Sequence, residues 1–124
     1  MDRLSKFFLG VAALVLAVGA VMHFSAFAKV EAAIASSNLA GFAANGLRTL
    51  WVADSTTSLL VALALAFCLV RPANGSRVII ILLALIPGVT ALLIYHYIGN
   101  FFGGHIEMAA AVFAAAGAVT RSRG

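Results

Sequence analysis

Three histidines and two carboxylates, His23, His96, His105, Asp54 and Glu107, are the residues of this chain whose types could do chemistry inside an otherwise apolar sequence. Imidazole beside carboxylate can relay a proton, bind a divalent metal or hydrogen-bond the polar head of a lipid-like ligand. No tight metal spacing such as H-E-x-x-H is present, so any site must be assembled from separate segments. For acid-base work the candidates are Asp54 and Glu107 as general base, with a histidine such as His96 as partner. For ligand binding they are His23, Trp51, Asp54, Tyr95, His96, His105 and Glu107; for a metal they are His23, His96, His105 and Glu107. No motif names a cofactor. A purely structural use is equally open: His23, Tyr95 and Tyr97 can snorkel to lipid headgroups, Asp54 can pair with Arg48 or His96, and Glu107 can be favoured by a helix N-terminus.

The elements that must position these residues follow from composition. With 124 residues, 64% of them hydrophobic and 10% charged, and a mean hydropathy of +1.11, the chain cannot hide its apolar surface in one small soluble domain. It is expected to be an all-α membrane protein. The arrangement expected is an antiparallel bundle of four transmembrane helices, over about residues 7–28, 47–70, 78–97 and 102–120, forming a single membrane domain. The net charge of +4 raises the question of nucleic acid, but no basic patch interleaved with aromatics exists, and nucleic acid is excluded as a partner. The lone cysteine, Cys68, lies within an apolar run, which rules out a disulfide framework and a thiolate cluster and predicts a buried thiol.

The first segment carries no formal charge from Phe7 to Ala28, and Ala13, Ala17 and Ala20 form a ridge suited to close helix packing. Arg3 and Lys6 before it, with Ala26-Phe27-Ala28 at its end, also resemble a cleavable signal peptide, although the apolar stretch exceeds the roughly 15 residues of a typical signal core. Residues 29–46 are too polar to span and too apolar for a solvated linker, so an interfacial helix over part of Val30 to Phe42, or a partly ordered cap over the bundle, is expected. Trp51 stands where an interfacial aromatic anchor belongs. Arg71 to Arg77 reads as a short turn, and its Asn74-Gly75-Ser76 sequon is voided by the flanking arginines. Pro87-Gly88 predicts a kink in the third segment. The Ala-rich run Ala109–Ala118 predicts a tight packing face on the fourth.

Six of the eight Lys and Arg residues, Arg3, Lys6, Arg71, Arg77, Arg121 and Arg123, flank the segments on one side. The positive-inside rule then makes both termini cytoplasmic and the 29–46 loop external, in a multi-pass protein of the cell membrane, expected to be a bacterial inner membrane. From those basic ends, a rise of about 1.5 Å per residue carries His23 and Asp54 roughly 25 Å along their helices, His96 roughly 28 Å and Glu107 roughly 20 Å. All four fall in one slab toward the outer leaflet. The strictly apolar part of the fourth segment, Met108 to Val119, is only twelve residues, so a spanning helix must draw His105 and Glu107 into or against the membrane. Asp54 shares a helix face with Trp51 and Ser58, extending a polar stripe from Arg48 through Ser55.

The Gly19-Ala20-Val21-Met22-His23-Phe24 end of the first helix, the Leu50-Trp51-Val52-Ala53-Asp54-Ser55 start of the second and the His105 entry to the fourth resemble small bacterial four-helix membrane proteins of the DoxX-like sort. That resemblance implies an accessory or quinone-proximal role and transfers no catalytic residue. The functional expectation is a non-catalytic membrane subunit, or a binder of a lipid-soluble, quinone-like ligand in an outward-facing polar pocket. The alternative is a small membrane enzyme doing His/carboxylate acid-base chemistry on a lipidic substrate. A transporter component would need a polar path that the apolar inner halves of the segments do not offer. The expected partners are the lipid bilayer and, through Ala-rich helix faces, a homo-oligomer or a larger membrane complex.

Overall fold

The structure is a computed structural model that describes residues 2–121. Arg123, part of the basic flank, lies outside the described residues. Five α-helices follow in order: α1 (Arg3–Ser25), α2 (Phe27–Ala35), α3 (Gly41–Val70), α4 (Arg77–Tyr97) and α5 (Phe102–Val119), with a short 3₁₀ turn at Pro72–Asn74. Among the described residues there is no strand. Four helical stretches, the first formed by α1 running on into α2, are long and apolar enough to cross a membrane.

Helix boundaries differ from expectation mostly between the first and second spans. The helix expected over part of Val30 to Phe42 is present as the second half of α2, but it is continuous with the first span and leaves no long loop. Ala26 keeps a helical backbone (φ −77°, ψ −5°), so α2 continues from α1 after a one-residue irregularity, and α3 begins at Gly41 instead of Leu47. Only five residues, 36–40, separate α2 from α3. The physical reason is composition: Ala, Lys and Glu are strong helix formers, and the Ala-rich stretch on both sides of the break favours helix over coil. In α4 the helix runs unbroken through Pro87, which is fully buried. The stop to α4 is instead Gly99, whose φ of +90° is a left-handed conformation that a side chain would strain.

Packing is built on small residues. In α1 the buried positions are Ser5, Leu9, Ala12, Leu16, Gly19 and Ala20, a stripe with spacings of three and four. The expected ridge is therefore rotated: Ala20 belongs to it, but Ala13 and Ala17 sit only half-buried beside it. Every buried residue of α5 except Glu107 is Gly or Ala, and the run Ala109–Ala118 supplies Ala110, Ala111, Ala114 and Ala118 to the interior.

The two helices interlock reciprocally. A Cβ on Gly19 of α1 would stand 2.7 Å from Ile106 of α5, and one on Gly117 of α5 would stand 2.8 Å from Leu9 of α1. Gly104 likewise makes room for Tyr95 and Ile94 of α4.

Helix α5 packs on both α1 and α4, and α1 packs on α3, while α3 and α4 meet far less. The four spans thus enclose a space that is thinly closed on its α3–α4 side. At one end, Ser5 Oγ donates to the Gly117 carbonyl at 2.7 Å, and Arg121 donates to the Pro72 carbonyl at 2.6 Å. These contacts gather the start of α1, the end of α5 and the turn between α3 and α4. Cys68 is buried at this end, packed against Gly75 of the turn. The outward faces of the spans, with Leu14, Leu60, Leu82, Leu92 and Val112 exposed, are apolar.

A candidate ligand pocket at the polar end

At the opposite end of the bundle, α1 and α3 bring His23, Trp51, Asp54 and Ser55 together. Trp51, Asp54 and Ser58 are three and four residues apart, one face of α3, and the same face meets the last turn of α1. The Trp51 indole N–H donates to the His23 carbonyl at 2.8 Å, and the indole ring stacks on the imidazole with centroids 3.9 Å apart and planes 13° from parallel. Trp51 therefore turns its polar edge into the protein, and the expected role of headgroup anchor is replaced by that of a brace for His23.

The imidazole is held at both nitrogens. Nδ1 lies 2.7 Å from Ser55 Oγ, and Nε2 lies 3.6 Å from Asp54 Oδ2. Ser55 also donates to the Trp51 carbonyl at 3.2 Å. A Ser55 proton turned to the Trp51 carbonyl leaves Nδ1–H to donate to Ser55 Oγ, and one turned to Nδ1 leaves Nε2–H facing Asp54.

Glu107 enters from α5. It is 8% exposed, and its Oε1 accepts a hydrogen bond from Ser58 at 2.9 Å. It sits on the second turn of α5, beyond the unpaired N–H groups of the helix start, so the bland explanation through the helix dipole is replaced by a specific donor on α3.

His23, Trp51, Asp54, Ser58 and Glu107 line one cavity of about 240 Å³. Its polar lining is His23, Trp51, Asp54, Ser58, Thr90 and Glu107; apolar walls come from Leu47, Leu50, Ile94, Ile98, Phe101 and Ile106. Thr90, from the middle of α4, carried no signal in the sequence because a single Thr in an apolar run is usually silent. The four candidates His23, Trp51, Asp54 and Glu107 are brought together.

Tyr95, His96 and His105 are not. His105 is exposed, bridges Tyr95 Oη (2.9 Å) and Asn100 Oδ1 (2.7 Å), and so ties the end of α4 to the start of α5. Residues 105 and 107 point to different sides of α5, and burial of Glu107 leaves His105 outside. His96, next to Tyr95 on α4, is exposed and edge-on to Tyr97 (centroids 4.6 Å, 84°). Equal depth along the helices did not bring equal rotation.

The metal set is dispersed for the same reason: no group of three His, Cys, Asp or Glu among the described residues could hold a metal ion. Nor does Asp54 pair with Arg48 or His96. Arg48 forms a two-pronged contact with Glu31 of α2, at 2.6 Å (Nε–Oε1) and 3.2 Å (Nη2–Oε2), and donates to Asn45 at 3.0 Å.

The chain matches no family model, no curated protein and no solved structure.

Proposed function

We propose that this protein is a multi-pass membrane protein that binds the polar head of a lipid-soluble molecule in the His23–Asp54–Glu107 cavity. The observation that carries the reading is the concentration of polar side chains on one cavity inside an apolar bundle. Polar groups inside a membrane span are costly and are retained where they do something. A volume of about 240 Å³ lies below the range of pockets that swallow a whole drug-sized ligand. It suits a single head, with the apolar tail leaving through the thinly closed α3–α4 side into lipid.

In a bilayer the four spans run antiparallel, with both termini and the 3₁₀ turn on the cytoplasmic side and the cavity toward the outer leaflet of a bacterial inner membrane. The basic residues at one end and the positive-inside rule support this orientation. A quinone-proximal or accessory role within a larger membrane complex is the form of this function that the DoxX-like resemblance suggests.

Retention of co-purifying lipids, read by mass spectrometry of protein extracted in mild detergent, tests the proposal. His23→Ala or Asp54→Ala should lower occupancy while helix content by circular dichroism is unchanged. Equal occupancy in wild type and both variants would overturn it.

A second reading, proton transfer on a lipidic substrate, is favoured by one observation, the 3.6 Å approach of His23 Nε2 to Asp54 Oδ2 at the cavity. In it Asp54 orients the imidazole and Nε2 moves the proton. Incorporation of deuterium from D₂O into a bound lipid, abolished by Asp54→Asn, is the expected signature; its absence in the wild type would remove this reading.

A further inference from the structure

We infer that the head taken by the cavity is cationic: an organic amine or quaternary ammonium on an apolar chain, a class narrower than the lipid-soluble ligand on which the inference rests. The lining holds two carboxylates, Asp54 and Glu107, and no Lys or Arg. The nearest basic residue along α3, Arg48, is occupied by Glu31 and Asn45 and does not line the cavity.

Two donors are also spent, the Trp51 N–H on the His23 carbonyl and the Ser58 hydroxyl on Glu107 Oε1, and the His23 imidazole is held between Ser55 and Asp54. Acceptors, in contrast, are spare. Glu107 is more than nine-tenths buried, yet its Oε2 takes no hydrogen bond among the described residues. Asp54 has no partner there closer than the imidazole at 3.6 Å.

A largely apolar cavity whose few uncommitted polar atoms are carboxyl oxygens favours a head that donates or carries positive charge. Charging both carboxyl groups that face this one space is costly, and a cation between them relieves that cost. The Trp51 and Phe101 rings in the same lining add the attraction of aromatic faces for cations. A quinone carbonyl, which only accepts, would find in Thr90 the one uncommitted hydroxyl of that lining.

Trp51 is the only tryptophan in the chain and lines the cavity, so its fluorescence reports occupancy directly. The full-length protein in nanodiscs of zwitterionic lipid is titrated with dodecyltrimethylammonium and, separately, with dodecanol, a neutral probe of the same chain length. Saturable change is expected with the ammonium probe, with dodecanol at least about tenfold weaker. Asp54→Asn and Glu107→Gln should each weaken the ammonium probe by about tenfold and change dodecanol binding far less. If one of these two variants fails to fold, the other carries the comparison.

Equal affinity for the two probes overturns the cationic inference and leaves the pocket reading standing. Ammonium binding indifferent to both variants also overturns it. No saturable change with either probe overturns the pocket reading as well.

Discussion

A carboxyl group buried in an apolar span needs a donor, and Ser58 is the one Glu107 has. Deleting that hydroxyl leaves a buried acceptor unpaired, a loss of about 1–3 kcal/mol. Thermal unfolding in detergent should therefore show Ser58→Ala clearly destabilised and Ser58→Thr, which keeps a hydroxyl, much closer to wild type; equal melting temperatures for the two would contradict the assignment. At this scale the sequence was informative about α3, because Trp51, Asp54 and Ser58 share a face at spacings of three and four residues. It was uninformative about partners. That His23 would meet Asp54, and Arg48 would meet Glu31, depends on how α1 and α2 are rotated against α3, which no spacing within one helix encodes.

Helix contacts depend on where glycine lets another chain in. A methyl group at Gly104 would meet Tyr95 Cε1 at 2.7 Å and Ile94 Cγ2 at 3.0 Å, whereas one at Gly46, inside α3, meets nothing within 4 Å. Gly104→Ala should thus cost about 1–3 kcal/mol by forcing α4 from α5. Gly46→Ala should be neutral or stabilise by about 0.5–1 kcal/mol through helix propensity. The same unfolding assay checks both, and a destabilised Gly46→Ala would show that α3 is packed there by something unseen.

The pairing of Arg48 with Glu31 joins α2 to α3 at the rim of the cavity. Glu31→Ala is expected to speed amide exchange over Phe27–Ala35, read by hydrogen–deuterium exchange, while the global melting temperature stays where it is, since exposed ion pairs contribute little to stability. Protection of α2 unchanged by the substitution would mean that Ile34, the buried residue of α2, holds it alone.

For the whole molecule, orientation is the property that basic residues set and packing does not. In a Cys68→Ala background, Ser37→Cys lies between α2 and α3 and Asn74→Cys in the turn before α4, both at exposed positions. With intact membrane vesicles of known sidedness, the proposed orientation predicts that a membrane-impermeant maleimide labels Ser37→Cys only from the outer face and Asn74→Cys only from the cytoplasmic face. The reverse pattern would invert the bundle, and labelling of both sites from one face would refute the alternating spans. Beyond orientation, the thin α3–α4 contact is a whole-molecule property with a local consequence, because the cavity opens beside those helices and the tail of a molecule bound as proposed would have its exit there.

Composition and apolar run length by themselves determined the class of molecule: a chain this apolar, with its charges collected at segment ends, has four helices suited to a membrane and polar groups crowded toward one end. They also set the expectation of a polar layer toward one end, since rise per residue is a constant of the helix. Only the tertiary structure decided membership of the site. Depth is one coordinate and rotation is another; Glu107 turned inward to Ser58 while His105, two residues away, turned out to Tyr95 and Asn100, and His96 faced away. Rotation was set by which small residues, Gly19, Gly104 and Gly117, admitted a neighbour's bulk, and that fit exists only between helices.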